Sequence, residues 1–245
     1  MHTPRVEVLR LAAPKANAID LPFLDRLDAL LETFARGPAA AAVLTGTGRF
    51  FSVGLAMPAL IGLGRADLRR FMNRFDDTMF RLFACPKPIV AAVNGHAIAG
   101  GCVIALQCDV RFATDADARI GLNEAQLGIG LPASVLEPLR QVLPPAAWVP
   151  VACEGRLFSP TEALGLGLVD ALAAAADLEA RAVARAEALA SIPPAAYAQI
   201  KLGLRRVAIE AMQATAADQL EKWLDTWFTP EAQRRMAEAV ARLRS

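Results

Sequence analysis

The chain has 245 residues, with 26 Lys and Arg against 25 Asp and Glu, and 55% of its residues are hydrophobic. This composition is typical of a folded globular protein and excludes a disordered one. The net charge of +1 provides no field that would gather nucleic acid or an anionic membrane surface. We therefore expect no nucleic-acid or membrane partner. The function has to be inferred from particular residues and motifs.

Three further sequence features restrict the class of protein: the cysteines, the histidines and the charged start of the chain. The four cysteines have no CxxC spacing and two histidines accompany them, so no Cys/His metal site is predicted. No apolar run approaches the roughly 20 residues that cross a bilayer. Charged residues at the start of the chain are not typical of a signal peptide. We therefore expect a metal-free, cytoplasmic protein with reduced thiols.

The first two-thirds of the chain alternate short apolar strands with helices. Apolar residues at helical spacing predict one helix from Leu21 to Gly37-Pro38 and another over 68–82. The second helix has to stop before Cys85-Pro86-Lys87-Pro88, because proline removes a backbone donor and pushes the preceding residue out of the helical region. Strands are predicted at 5–11, 40–44, 89–93 and 110–114.

The last third of the chain changes character. Residues 163–169 predict a short helix followed by a strand, and strand signals cease beyond about Leu172. Helical stretches then follow at 178–190, 195–204, 207–227 and 230–243. The sequence therefore predicts an α/β fold, with an α/β core over 1–190 that carries the binding site and an all-helical C-terminal segment over 191–245.

Two glycine-bearing turns follow predicted buried strands, Ser52-Val53-Gly54 and Ala99-Gly100-Gly101-Cys102. Glycine lets a ligand approach the backbone closely. N–H groups at a turn that opens a helix point outward, where the helix dipole favours negative charge. Two such turns brought together would form an oxyanion hole. The alternative is that Gly100 and Gly101 only allow a strand and a helix to pack closely.

Glu124 is the carboxylate with the most informative surroundings. Asn123 is a candidate helix cap with Gln126 as its capping-box partner, which would place Glu124 in the first helical turn. There it would either complement the helix dipole or act as a general base. The apolar neighbours Leu122 and Leu127 would desolvate such a base and raise its pKa. Spacing alone leaves both roles open.

Other candidate residues have simpler interpretations. His96 has no nucleophile partner in any motif, which favours a structural histidine. The chain contains no GxSxG, GxGxxG or Walker A motif, so serine hydrolases, dinucleotide-dependent oxidoreductases and phosphoryl transferases are not indicated. The aromatic residues Trp223, Trp227 and Phe228 predict either a core cluster or, if exposed, an interface or acyl-binding site.

Several segments together resemble the enoyl-CoA hydratase/isomerase (crotonase) superfamily. They are Arg49-Phe50-Phe51-Ser52-Val53-Gly54, Cys85-Pro86-Lys87-Pro88-Ile89 through Asn94-Gly95, Ala99-Gly100-Gly101-Cys102, Cys108-Asp109-Val110-Arg111, and Phe158-Ser159-Pro160-Thr161-Glu162-Ala163 with Gly167-Leu168-Val169-Asp170. The stretch from Gly121-Leu122-Asn123-Glu124 to Ile129 also resembles the mitochondrial-type Δ3,Δ2-enoyl-CoA isomerases within that superfamily.

The resemblance implies roles for particular residues. It makes the backbone N–H groups of Val53 and Gly100 the oxyanion donors and Glu124 a catalytic glutamate. Family hydratases carry two glutamates, and the position of the other, directly after Gly-Gly-Cys, is Val103 here. The acidic residue usual after the first loop is replaced by Ala56. Substrate or CoA contacts are implied for Ser52, Leu55, Ala97, Gly101, Leu122, Trp227 and Phe228.

The residue at Val103 favours isomerisation over hydration. Hydration uses the two-glutamate arrangement to activate water and deliver a proton, whereas a double-bond shift needs one base. The resemblance therefore predicts a Δ3,Δ2-enoyl-CoA isomerase. In it, Glu124 would move a proton from C2 of a 3-enoyl thioester to C4 while the donors at Val53 and Gly100 hold the dienolate.

The resemblance also implies an architecture and partners. It implies a crotonase-like spiral of ββα units and a homotrimer or dimer of trimers formed through the helical C-terminal segment. An acyl-CoA thioester of fatty-acid β-oxidation is the expected substrate, and coenzyme A enters as part of it, with no separate cofactor. Two alternatives stay open: a 2-enoyl-CoA hydratase in which Glu137 replaces the lost glutamate, and a catalytically inert acyl-CoA-binding member.

Overall fold

The computed structural model of the protein describes residues 6–242, and its strands form two sheets. The strands are β1 (Val6–Arg10), β2 (Ala41–Thr45), β3 (Phe50–Ser52), β4 (Ile89–Val93), β5 (His96–Ile98), β6 (Val110–Thr114), β7 (Ile120–Gly121), β8 (Leu157–Phe158) and β9 (Ala171–Ala173). The larger sheet has the order β1-β2-β4-β6-β9 and is parallel. The smaller sheet has the order β3-β5-β7-β8, with β8 antiparallel to β7.

Helices alternate with these strands and then occupy the C-terminal part of the chain. They are α1 (Pro14–Asn17), α2 (Leu21–Arg36), α3 (Met57–Leu60), α4 (Arg65–Phe83), α5 (Gly100–Gln107), α6 (Ala133–Val142), α7 (Pro145–Trp148), α8 (Pro160–Leu166), α9 (Leu178–Ala190), α10 (Pro194–Trp227) and α11 (Pro230–Arg242). A 3-10 turn lies at Ala125–Leu127 and a π-helical turn at Val149–Cys153. α1 is a left-handed turn, because Lys15, Ala16 and Asn17 have φ between 56° and 60°.

The larger sheet is buried on both faces. Leu44 of β2 and Ala91 of β4 point into the main core, which also takes in residues of α2, α4 and α5. Val43 and Val90 point the other way, into a second core that α9 covers. Continuous apolar strands are therefore required here, because a parallel sheet between helical layers has no solvent-facing side.

The C-terminal part of the chain contains one long helix where two were predicted. The predicted helices over 195–204 and 207–227 are joined in α10. Gly203 weakens a helix by about 1 kcal/mol relative to alanine, but tertiary contacts hold this region. Lys201 and Arg205 of α10 contact the buried carboxylate of Asp109 at 2.8 and 3.0 Å. These ion pairs anchor the helix on both sides of the glycine.

The predicted α/β class with a helical C-terminal segment is confirmed. The predicted strand start at Arg5 and helix end at position 243 lie outside the described residues. Within residues 6–242, no helix is both long and apolar enough to cross a bilayer.

Candidate active site

Three neighbouring parallel strands of the smaller sheet lead into the predicted site segments. β3, β5 and β7 lie side by side, and the residues that follow them begin at Val53, Ala99 and Leu122. Because parallel strands end at the same edge of a sheet, both glycine turns and the segment that carries Glu124 meet there. The backbone N–H of Ala99 also donates to the carbonyl of Gly121 at 2.8 Å, which fixes the second turn against the third segment.

The first turn is held by the left-handed turn α1. The Ser52 hydroxyl is buried, donates to the carbonyl of Asn17 at 2.7 Å and accepts the N–H of Gly54 at 3.2 Å. The buried amide of Asn17 donates to the carbonyl of Phe51 at 3.0 Å. Gly54 has φ +82°, a conformation that favours glycine. The Ser52 side chain therefore shapes the turn from within the protein.

The second turn packs directly against the first. Ala99 has φ +50° and ψ −122°, a strained conformation for a non-glycine residue, immediately before Gly100 opens α5. A side-chain carbon built on Gly101 would lie 2.1 Å from the carbonyl oxygen of Ser52. One built on Gly54 would lie 2.9 Å from the nitrogen of Gly100. Both glycines are therefore required for the two turns to approach each other.

The backbone donors at this junction differ from those predicted. The N–H of Val53 donates to the carbonyl of Ala16 at 3.3 Å, so Val53 is not a free oxyanion donor and that assignment is wrong. Within residues 6–242, the N–H groups of Leu55 and Gly100 have no hydrogen-bond acceptor. A side-chain carbon built on Gly100 would lie 3.7 Å from the nitrogen of Leu55. The structure therefore points to Leu55 and Gly100 as the adjacent pair of available donors.

Glu124 lies immediately before the 3-10 turn Ala125–Leu127. The predicted side-chain cap from Asn123 is wrong, because the N–H of Gln126 donates to the main-chain carbonyl of Asn123 instead. The Oδ1 atom of Asn123 and the Oε2 atom of Glu124 are buried and have no hydrogen-bond partner in the described part of the chain. Glu124 is therefore not committed to capping a helix.

Burial controls the ionisation of Glu124. It raises the pKa of the carboxyl from 4.5 to about 7, opposed by a hydrogen bond from the residue's own N–H. The group lies close enough to the start of α5 for its charge to add to the effect of burial on Cys102, whose pKa rises to about 12. A carboxyl with a pKa near neutrality can both take up and return a proton.

A second carboxylate does not act on Glu124 among the residues that the structure describes. The causes of its raised pKa are burial and its own N–H, with no charged neighbour among them. Val103, at the position of the other family glutamate, is buried in the main core. Glu137 is half-buried and forms an ion pair with Arg140 of the same helix at 2.7 Å. Among residues 6–242, Glu124 is therefore the one desolvated carboxyl group at the site.

The remaining predicted contact residues divide into those on the smaller sheet or next to it and the aromatic pair at the end of α10. Ala97, Gly101 and Leu122 are buried, and Leu55 is half-buried. Trp227 is buried in the main core beside Trp223, with ring centroids 5.1 Å apart, and Phe228 packs at the edge of that core. Trp227 is therefore part of the core of the chain itself and is not exposed for contact with a flap or another subunit. Its indole Nε1 has no hydrogen-bond partner in residues 6–242.

Sequence reasoning missed two features of the site. Leu55 was predicted as a contact residue and not as a donor, and the role of Asn17 was not predicted. A signal for Asn17 exists, because asparagine tolerates the left-handed conformation that α1 adopts. No local signal shows that the carbonyl of Ala16 takes up the N–H of Val53, since that contact depends on the tertiary fold.

Comparisons with known proteins identify the family of the chain. The family model described as Enoyl-CoA hydratase/isomerase matches residues 3–240. Enoyl-CoA delta isomerase 1, mitochondrial, from Homo sapiens is 30% identical over 204 residues, which cover 82% of this chain and 68% of that protein. Probable enoyl-CoA hydratase from Bacillus subtilis (strain 168) is 34% identical over 188 residues, which cover 76% of this chain and 71% of that protein.

A solved structure shows the same fold. The crystal structure of human mitochondrial delta3-delta2-enoyl-CoA isomerase has a TM-score of 0.90 at 27% identity, covering 95% of this chain and 91% of that chain. The chain therefore belongs to the enoyl-CoA hydratase/isomerase family. The predicted crotonase-like fold is confirmed, while the names of the two relatives refer to an isomerase and to a probable hydratase.

Proposed function

We propose that the protein is a Δ3,Δ2-enoyl-CoA isomerase that uses Glu124 as its single acid and base. The observation that carries this proposal is one buried carboxyl group beside a junction of two glycine turns. No second carboxylate among the described residues acts on that group. A double-bond shift needs one group that moves a proton and one site that holds a negative oxygen, and this arrangement offers both.

The reaction follows from these groups. Glu124 removes a proton from C2 of a 3-enoyl thioester, and the electrons of that C–H bond delocalise into a dienolate. The thioester oxygen takes the negative charge and accepts hydrogen bonds from the N–H groups of Leu55 and Gly100. The carboxyl then returns the proton at C4, so that the C3–C4 double bond becomes a C2–C3 double bond. The pKa of about 7 for Glu124 suits both transfers near neutral pH.

Hydration of a 2-enoyl-CoA is the second candidate, because the Bacillus subtilis relative carries a hydratase name. Hydration requires a second group besides Glu124, so that one group activates water while the other delivers a proton. The suspected substitute is Glu137, whose carboxylate is occupied by Arg140 at 2.7 Å. The single carboxyl at the site therefore favours isomerisation.

Ultraviolet detection of conjugated thioester formed from 3-hexenoyl-CoA tests the proposal. We expect rapid conversion by the wild type and a loss of about 10³-fold in kcat for Glu124→Gln, which keeps the size of the side chain but cannot take up a proton. Glu137→Gln is the matched control and should keep kcat within about twofold. Water addition to 2-hexenoyl-CoA that depends on Glu137 would support the hydratase instead. CoA-thioester binding without turnover by the wild type would support an inert binder.

We further propose a homotrimer or dimer of trimers that acts in the cytoplasm, with coenzyme A bound as part of the substrate and no separate cofactor. Support for assembly comes from an apolar stripe on α10. Ile200, Leu204 and Val207 are 56%, 73% and 68% exposed, and their spacing places them on one helix face. Light scattering that returned the 26.1 kDa mass of one chain would contradict this assembly.

A further inference from the structure

Three residues of the C-terminal helices contact the segment that carries Glu124. The contacts are Thr226 with Gly130, Ala232 with Gly128, and Arg235 with Gln126. The first is a hydrogen bond of 2.9 Å from the Gly130 N–H to the Thr226 hydroxyl, and the third is one of 3.1 Å from the Arg235 guanidinium to the Gln126 carbonyl. A side-chain carbon built on Gly128 would lie 3.2 Å from Cα of Ala232.

The hydroxyl of Thr226 has a defined geometry. It accepts the Gly130 N–H and donates to the carbonyl of Trp223 at 2.7 Å. Its proton and one lone pair are therefore both used, which fixes the rotamer of the side chain. A side-chain carbon built on Gly130 would lie 3.5 Å from this hydroxyl and 3.7 Å from the Thr226 methyl. The residue thus holds Gly130 through one hydrogen bond and close packing.

A short backbone path leads from Gly130 to Glu124. Ile129 precedes Gly130, and its N–H donates to the carbonyl of Glu124 at 3.0 Å. The N–H of Leu127 donates to the same carbonyl at 2.9 Å. The main chain of Glu124 is thereby tied to a segment whose far end Thr226 holds.

We propose that Thr226 is a positioning residue for the reaction, which holds the Glu124 carboxyl in its water-excluded place through Gly130. This inference rests on the proposed function only for its kinetic consequence. Thr226 acts through the backbone and does not need to touch the substrate. A shift of about 1 Å in a catalytic group is enough to cost about 10²-fold in rate.

The contact between Thr226 and Gly130 affects the ionisation of the Glu124 carboxyl. Burial raises the pKa of Glu124, so a segment that moved outward and admitted water would let that pKa fall towards its ordinary value. Among the described residues, the other titratable or charged groups near this segment include the Cys102 thiol of α5, the Arg235 guanidinium of α11 and Glu154. The carbonyl of Glu154 accepts a hydrogen bond from the Gln126 side chain, and its carboxylate lies 4.0 Å from the Arg156 guanidinium. The thiol has a pKa of about 12, and Arg235 is paired with Glu231 at 2.6 Å. Asp76 of α4 also has a pKa of about 7 because of burial, so the contribution of Glu124 to the pH response is identified by its loss in Glu124→Gln.

The test compares Thr226→Val, which keeps the shape and removes the hydroxyl, with Thr226→Ser, which keeps the hydroxyl. We expect Thr226→Val to lower kcat at least tenfold with KM within about twofold, and to move the acid limb of kcat/KM to lower pH. Thr226→Ser should restore both to near wild-type values. A role in stability alone would lower the melting temperature of Thr226→Val without moving the acid limb, and that result would overturn the proposal.

A second measurement separates this proposal from the proposed function. The ionisation of Glu124 can be followed without substrate, as the carboxyl signal in the infrared difference between wild type and Glu124→Gln. A lower ionisation midpoint in Thr226→Val but not in Thr226→Ser supports positioning even if the wild type does not isomerise 3-hexenoyl-CoA. An unchanged midpoint refutes it even if the wild type does. Thr226→Ala replaces Thr226→Val in both measurements if the valine variant does not fold.

Discussion

Glu124 and Asp76 are two carboxyl groups with similar ionisation in different surroundings. Burial raises the pKa of both to about 7, from 4.5 and 3.8 respectively. Asp76 belongs to α4 and lines a cavity of about 230 Å³ between α4, α6 and α10. It accepts a hydrogen bond from the Ser134 hydroxyl at 2.5 Å, which lowers its pKa, and the charge of Asp77 raises it again.

The neighbours of these two groups decide what each can do. The Oε2 atom of Glu124 has no partner among the described residues, and the strand edge that carries Glu124 also presents the N–H groups of Leu55 and Gly100. Asp76 already accepts a hydrogen bond from the Ser134 hydroxyl. Asp76 also lies in the middle of α4, where the backbone N–H groups are bonded within the helix. A raised pKa therefore marks a catalytic group only where a site for the developing charge accompanies it.

Among changes to the backbone, the largest expected effect comes from separating the two glycine turns that carry the donors. In Gly101→Ala the new carbon would lie 2.1 Å from the carbonyl oxygen of Ser52, so the two turns have to move apart. We expect kcat for 3-hexenoyl-CoA to fall at least about 10²-fold, because misplaced donors no longer meet the enolate oxygen. The assay is the ultraviolet one, with the melting temperature measured on the same samples.

Gly203→Ala is the matched control for that substitution. No heavy atom lies within 4 Å of a side-chain carbon at Gly203, which is in the interior of α10. Alanine there should leave kcat unchanged and stabilise the protein by about 1 kcal/mol, because it favours the helix. Full activity in Gly101→Ala would show that the approach of the two turns is not required for catalysis.

Much of the fold is predictable because its signals are local. The run Ile89–Val93 is continuously apolar and bounded by prolines and by Asn94-Gly95, and it forms β4 with those bounds. The continuity of α10 was not predictable in the same way. It depends on Lys201 and Arg205 meeting Asp109, which is distant from both in sequence and is brought close to them by folding.

The candidate site likewise combines features that local sequence predicts with features that depend on the tertiary fold. The glycine turns and Glu124 are recognisable from their own residues, because close backbone approach and a carboxyl among apolar neighbours are encoded locally. Which N–H is free is not encoded locally. Val53 is engaged and Leu55 is not, because the left-handed turn at Ala16 presents its carbonyl to Val53. The burial of Asp76 likewise depends on α6 and α10, which follow it by more than 50 residues.

The last prediction compares the two carboxyl groups through the free energy of unfolding and its dependence on pH. Asp76 has a pKa of about 7 in the folded protein and 3.8 as the reference value. Between about pH 4 and pH 7 the folded protein holds a proton that the unfolded chain has lost, so the free energy of unfolding falls as pH rises. The difference corresponds to roughly 4 kcal/mol at most, and to roughly 3 kcal/mol for Glu124.

Asp76→Asn and Glu124→Gln should each remove part of this pH dependence. Both variants are then expected to be more stable than the wild type at pH 8 and to lose that advantage near pH 4, as measured by urea unfolding across this range. Asparagine still accepts the Ser134 hydrogen bond, so Asp76→Asn should keep kcat within about twofold, whereas Glu124→Gln should lose about 10³-fold in kcat. Equal loss of activity in both variants would contradict the distinction, since it would place Asp76 in the same functional unit as Glu124. Similar stability gains with a loss of activity in Glu124→Gln alone would support the view that burial sets the proton affinity of both groups, while the backbone donors give Glu124 its chemistry.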